Sequence, residues 1–228
     1  MTAPGAVMVK ELVGRFTGAS NLTLLGRADG RLVVYKPTAG VRPLWDFDAA
    51  TLADREVLTY RVSEAMGVGI VPETLPGDGP LGPGAVQRFV AGAEDPVPLA
   101  LVEEGAEVLW PVAVLDLVTN NADRKAGHLL TEAASGRLWA VDHGLTFHPE
   151  PRLRTVLWAF AGRRLPPALV EALGRLEAAL DAGLAAEVAS SLGRPAAAAL
   201  RRRVRALRLA PVHPPPPRDR YPVPWPPY

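Results

Sequence analysis

Apolar residues in this chain follow two rhythms. From the N-terminus to about residue 90 they form short runs broken by glycine, proline, asparagine and aspartate, the patterning of strands and turns. Residues 11–16 and 22–26 are two such runs, flanking Thr17–Asn21, and Asp29-Gly30 gives a tight turn into a third, Arg31–Lys36. An antiparallel meander is expected, its third strand ending in Tyr35-Lys36-Pro37. Residues 38–50, with Trp45, Asp46 and Phe47, read as a loop of no clear role. Helical spacing takes over at 51–66, with Thr51 as N-cap, an apolar face of Leu52, Val57, Tyr60 and Met66, and Gly67 as the stop. Val68–Pro72 leads into a strand, 76–84 is a Pro/Gly-rich turn, and Ala85–Val90 is a further strand.

Beyond a connector at 91–98 the longer helical rhythm dominates. An apolar helix is expected over 106–119, carrying Pro111 early and ending at Asn120-Asn121. His128–Leu130 and Leu138–Val141 read as a hairpin with Gly136 in its turn. One or two helices are expected in 166–192, and another from Arg194 to Leu209 with Pro195 at its start. That last helix places Leu200, Val204 and Leu207 on one side and most of its arginines elsewhere, as a packed terminal helix with a solvated face does. Half of 211–228 is proline, so the tail is expected to be extended polyproline II or disordered. It would dock on a groove of a partner, or along the protein's own surface through Tyr221 and Trp225. The expected divisions are 1–90, 91–210 and a Pro-rich tail at 211–228.

Composition narrows the class. At 228 residues the chain can bury a proper core, and its 48% hydrophobic and 21% charged content is that of an ordinary globular protein. A net charge of +1 gives no global field for nucleic acid, and no apolar run is long enough for a membrane span. The absence of cysteine excludes disulfides and thiolate metal sites, and with no signal-peptide pattern a cytoplasmic location is expected. The basic residues are nearly all arginine. Lysine occurs only at Lys10, Lys36 and Lys125, so a specific requirement for an ammonium becomes more plausible at each.

The candidate chemistry centres on Asp116–Phe147. Asp123 lies on the loop entering the hairpin and Asp142 at its exit, so both can face one cleft. A loop aspartate, a candidate metal ligand five residues on at His128, and an aspartate after a strand suit phosphoryl transfer. One carboxylate orients the hydroxyl nucleophile while the others hold a divalent ion on the phosphates. Lys36, beside the Thr17–Asn21 loop, suits phosphate binding, and Glu56 on the helix could brace it. Taken alone, Lys36 also reads as an exposed strand-end lysine, and Glu56 as a carboxylate favouring a helix N-terminus.

In joint order these pieces resemble the atypical kinases of the phosphatidylinositol 3-/4-kinase-like group, especially the type II phosphatidylinositol 4-kinase branch. They also resemble a small actinobacterial kinase-like family. The likeness covers residues 10–150 and rests on Tyr35-Lys36-Pro37, the segment REVLTYRVSEAMGVGIVP, and the frame Asp116, Asn121, Asp123-Arg124, His128, Asp142-His143-Gly144. It implies an α+β, two-lobed protein-kinase-like fold with an antiparallel β N-lobe and a mainly helical C-lobe. The implied cofactors are ATP and Mg2+, with Mn2+ as the alternative, and the acceptor is a hydroxyl on a lipid headgroup, small molecule or protein. Lys36, Glu56, Asp123 and Arg124 would form the catalytic set. Ser20, Asn21, Lys36, Val86, Gln87 and Phe89 would bind nucleotide, and Asp142 and His128 the metal.

Two departures open alternatives. The phosphate loop lacks a G-x-G-x-x-G pattern, and His128 stands where the resembled family has a metal-binding asparagine. Imidazole suits manganese better than magnesium, so either Asp142 carries magnesium with waters, or manganese is preferred, or His128 contacts phosphate. A nucleotide-binding pseudokinase that presents its tail to a partner, and a nucleotidyl (AMP) transferase on the same fold, are the competing readings.

Overall fold

A computed structural model describes residues 6–19, 21–42, 44–91, 97 and 99–227. Its N-terminal part is a six-stranded sheet with order β1-β5-β6-β4-β3-β2. These strands are β1 (Val7–Met8), β2 (Glu11–Arg15), β3 (Leu24–Ala28), β4 (Arg31–Pro37), β5 (Thr74–Asp78) and β6 (Gly84–Arg88). The β2–β3–β4 meander has the expected form, and Asp29 and Gly30 both take positive φ in its turn. Two details differ from the expectation. β5 follows the expected strand entry but runs on into the stretch read as a Pro/Gly turn, where Pro76 and Gly77 pair with Ala85 and Gly84 of β6. β1 adds a parallel pair against β5, so the sheet is not wholly antiparallel.

Alternation along β4 decides what each residue does. Val33 and Tyr35 turn into a small core with Val9, Leu24, Ala28 and Val86, while Lys36 lies on the opposite face. Helix α1 (Leu52–Met66) follows a short 3-10 turn capped by Asp48, whose side chain accepts the Ala50 N–H at 3.0 Å. Asp48, not the expected Thr51, therefore supplies the side-chain cap. Gly67 ends the helix at φ 68, a left-handed conformation that glycine adopts without strain. α1 packs on β5 and β6 on one side and on the helical part on the other, with Leu58, Val62 and Met66 in the larger core.

The C-terminal part contains α2 (Leu99–Glu104), α3 (Trp110–Thr119), the hairpin β7 (Leu129–Thr131) and β8 (Leu138–Ala140), α4 (Pro167–Ala179), α5 (Ala185–Leu192) and α6 (Arg194–Leu209). α3 is apolar around its circumference because it is enclosed on every side, and Asn120 stops it at φ 56. Asp116 is its buried exception. α4 and α5 join through a π-helical turn at Leu180–Leu184 that Gly183 breaks with φ 137. A mainly β lobe and a helical lobe, with a cleft between them, make this a two-lobed kinase-like α+β fold.

The tail docks on the protein itself, though not through its aromatics. Proline has no N–H to donate, but its carbonyl accepts. Pro211 O takes the Leu165 N–H at 2.9 Å, Pro222 O the Thr155 N–H at 3.0 Å, and Pro227 O the Ala126 N–H at 2.9 Å. His213 is buried against Trp110, Trp158 and Phe160. Tyr221 and Trp225, the expected anchors, remain 88% and 89% exposed.

Candidate active site

Sheet, helix and hairpin bring three charges together at one edge of the cleft. Lys36 extends from β4, Glu56 from the second turn of α1, and Asp142 from just after β8. The Lys36 ammonium hydrogen-bonds Glu56 Oε1 and lies 3.2 Å from Asp142 Oδ1. Partial burial pulls the ammonium toward neutrality, but Asp142 and Glu56 more than reverse this and hold its pKa above the usual lysine range. The Lys36 charge holds the Asp142 carboxyl well below the usual carboxylate range. Burial pushes the Glu56 carboxyl up, against the pull of Lys36. Glu56 is 3% exposed, whereas the Asp142 side chain is 50% exposed and free to accept further contacts.

Asp142 occupies a left-handed backbone conformation, φ 62, which an aspartate tolerates better than most residues. A non-glycine residue in that region marks a place where tertiary contacts outweigh local preference. Those contacts are visible on both sides. Val141 O accepts from Arg124 Nη1 at 2.8 Å, and Thr146, four residues beyond Asp142, bonds Thr59 and Arg55 of α1. α1 therefore fixes both Glu56 and the segment that leaves Asp142.

The loop after α3 carries Asp123. Asn121 Oδ1 accepts the Asp123 N–H at 3.0 Å, and Asn121 Nδ2 donates to Asp116 Oδ1 at 2.9 Å. Arg124 donates to Asp116 from Nε and Nη2, and Thr155 adds a longer hydroxyl contact to Asp116 at 3.4 Å. This corrects the expected role of Arg124. Its side chain is 0% exposed and engaged with Asp116 and Val141 O, so it holds the loop in place and does not reach the cleft. Asp123 is left partly exposed, 3.3 Å from Lys125 Nζ. Burial raises its pKa, partly offset by Lys125.

Lys125 escaped the sequence assignment. The available signal was its persistence as one of three lysines among 25 basic residues. His128 lies 3.4 Å from Asp142 through Nε2, and burial lowers its pKa to about 4, so the ring is neutral at pH 7. The Lys125 N–H reaches its Nδ1 at 3.5 Å, which assigns the proton to Nε2. In that tautomer Nε2 donates toward Asp142.

A cleft of about 670 Å³ opens beside these groups. Phe16–Ala19 line one wall, Gln87–Val90 another, and Lys36, His128 and Asp142 its polar end. The expected nucleotide-binding residues divide accordingly. Gln87, Phe89 and Lys36 line the cleft; the Val86 side chain points to the opposite face of β6, into the sheet core, so only its backbone groups are left for the role the resemblance implies. Asn21 borders a smaller void of about 50 Å³ behind Lys36, and its side chain accepts the Arg42 N–H. Ser20 lies outside the described residues. Among the described residues no cluster of three acidic or histidine side chains is arranged to hold a metal.

The class of this protein follows from fold and cleft together: it has a kinase-like fold. It aligns with the crystal structure of a Helicobacter pylori proinflammatory kinase, CtkA, at a TM-score of 0.57 and 12% identity, over 90% of this chain and 95% of that one. The chain is also 38% identical to Protein Rv2133c of Mycobacterium tuberculosis, over 94% of this chain and 91% of that protein, and it belongs to the same family. No protein-family model matches it. No helix among the described residues is long and apolar enough to cross a membrane.

Proposed function

We propose that the protein is an ATP-dependent phosphotransferase of the phosphatidylinositol 3-/4-kinase-like type that passes the γ-phosphate to a hydroxyl acceptor. The observation that carries this reading is Lys36 held between buried Glu56 and half-exposed Asp142 at the polar end of a 670 Å³ cleft. Lys36 offsets charge on the α- and β-phosphates, and Glu56 fixes its position. Asp123 accepts a hydrogen bond from the acceptor hydroxyl and takes its proton as the oxygen bonds to the γ-phosphorus and ADP leaves. Its raised pKa suits that task. Lys125, beside Asp123, offsets charge on the transferred group.

One free carboxylate plus phosphates and water is the coordination that magnesium accepts, so Asp142 fits Mg2+ as the single protein ligand. The ion, when bound, neutralises phosphate charge. His128, neutral and protonated at Nε2, fits a hydrogen-bond donor to Asp142 or to phosphate better than a metal ligand.

Calorimetric titration of ATP with magnesium, with manganese and without divalent ion tests the site. Binding is expected to need a divalent ion and to weaken about a hundredfold in Asp142→Ala. Asp123→Asn should keep ATP binding and lose about 10²–10⁴-fold in transfer to an accepting hydroxyl. Failure to bind ATP under any condition, or wild-type transfer by Asp123→Asn, sinks the proposal. Transfer of label from the α-phosphate would establish the nucleotidyl transferase instead, and binding without turnover the pseudokinase.

A further inference from the structure

A second cavity, of about 810 Å³, lies away from the cleft between α6, residues 149–158 and the tail. Leu117, Leu153, Trp158 and Leu207 give it apolar walls, continued by prolines of the tail. Its charged lining is Arg202, Arg203, Arg220 and Asp219. Asp219 pairs with Arg220 at 3.2 Å, so the other two cations keep their charge uncompensated.

The remaining arginines of α6 make this a local exception. Arg201 pairs with Asp181, and Arg205 and Arg208 share Glu177. Arg202 and Arg203, the two that line the cavity, meet no carboxylate among the described residues. Arg203 donates from Nε to Val118 O at 2.7 Å and from Nη1 to His148 O at 3.3 Å. Its Nη2 is buried and has no hydrogen-bond partner. A buried charged donor without an acceptor is costly, and an apolar wall cannot supply one. Nη2 is closed off from the cavity, so Arg203 contributes there through its uncompensated charge while the exposed Arg202 supplies open donors; an anionic head with an apolar body matches these charges and walls.

We propose that this cavity binds an alkyl-chain anion. A carboxylate or phosphate head would bond the exposed Arg202 guanidinium beside the Arg203 charge, with the chain lying along Leu153, Trp158 and Leu207. Cavity volume and lining suit a small amphiphile, and a guanidinium recognises either head through charge-assisted hydrogen bonds. The site is separate from the proposed phosphotransfer chemistry and stands or falls without it.

The test is calorimetric titration of decanoate, decyl phosphate and decanol, each below its critical micelle concentration, into the full-length protein. Both anions are expected to bind saturably at one site, with decanol at least about tenfold weaker. The tighter anion distinguishes a fatty-carboxylate from a phosphate-headed ligand. Ala206 is exposed and lines the cavity, so Ala206→Trp should obstruct it and weaken binding of both anions without disturbing the core. Arg202 is also exposed, and Arg202→Ala should weaken the anions about tenfold and leave decanol unchanged. Equal binding of decanol and decanoate, no saturable binding of either anion, or an unaffected Ala206→Trp variant would each overturn the proposal.

Discussion

Two clusters of charge lie on either side of the Asp123 loop, and their surroundings give them opposite roles. In the first, Asp116 and Arg124 are 1% and 0% exposed, and Asn121, Thr155 and Val141 O complete their hydrogen bonds. In the second, Lys36 bridges Glu56 and an Asp142 that is half exposed to the cleft. The first cluster has no face left for a ligand, whereas the second is open to the cleft, where the proposed phosphate and ion contacts would form. Enclosure, more than residue type, separates a charge that shapes a site from one that works in it.

The sharpest break of that comparison is at Arg124. Arg124→Met leaves Asp116 as an uncompensated buried carboxylate, and a loss of roughly 3–5 kcal/mol in unfolding free energy is expected by urea denaturation. In Asp142→Asn, by contrast, a partly exposed carboxylate is replaced by its neutral isostere, and a stability change below about 1 kcal/mol is expected. Similar losses in the two variants would erase the distinction.

A pH series sharpens it further through His128. Burial lowers the His128 pKa from 6.5 to about 4, so the unfolded chain takes up a proton before the folded one does. The stability this neutral ring protects is complete above about pH 6.5 and is lost as pH falls toward 4, by up to about 3 kcal/mol at 1.36 kcal/mol per pKa unit. His143, also buried and shifted in the same direction, adds to the slope. His128→Asn should flatten part of that window in denaturation midpoints measured from pH 7 to pH 4. An unchanged slope would mean that the ring titrates as it does in water.

At the tail, an effect between those of Arg124→Met and Asp142→Asn is expected. Truncation after Tyr221 removes the Pro222 carbonyl that accepts from Thr155 and Trp158, and the Pro227 carbonyl that accepts from Ala126. Each lost hydrogen bond costs about 1 kcal/mol, so a fall of about 2–3 kcal/mol is expected, smaller than for Arg124→Met. Because Thr155 contacts Asp116 and Ala126 lies on the Asp123 loop, the loss should appear as faster amide exchange in that loop. Exchange unaltered by truncation would show that the tail merely rests there.

Much of this architecture was legible in local chemistry. Asp29-Gly30 made the β3–β4 turn, Gly67 ended α1, Asn120 ended α3 and Gly136 turned the hairpin, each because few other residues adopt those dihedrals. The kinase-like lobes were implied by the resemblance carried by Lys36, the 55–72 segment and the Asp116–Gly144 frame. The strand entered after Pro72 was expected, but its extension through Pro76 and Gly77 was missed because these carry turn chemistry, and only pairing with β6 makes a strand of them. The tail was misjudged at its aromatics: proline content pointed to an extended or disordered chain docking through Tyr221 and Trp225, but docking came from carbonyls that sequence patterning does not weigh.

Within the candidate site, the sequence by itself determined which residues carry charge and which segments carry them: Lys36 at a strand end, Glu56 in a helix, Asp123 and Asp142 around a hairpin. It could not decide which of those charges meet, or which remain open to a ligand. Arg124 and Asp123 are neighbours in the chain, yet one is sealed on Asp116 and the other is left partly exposed beside Lys125; Arg202 and Arg203 read like the rest of α6, yet they alone among the arginines from 201 to 208 line the second cavity. Partner and exposure depend on segments remote in sequence that pack together, and burial fixes both the cost of a charge and its freedom to bind.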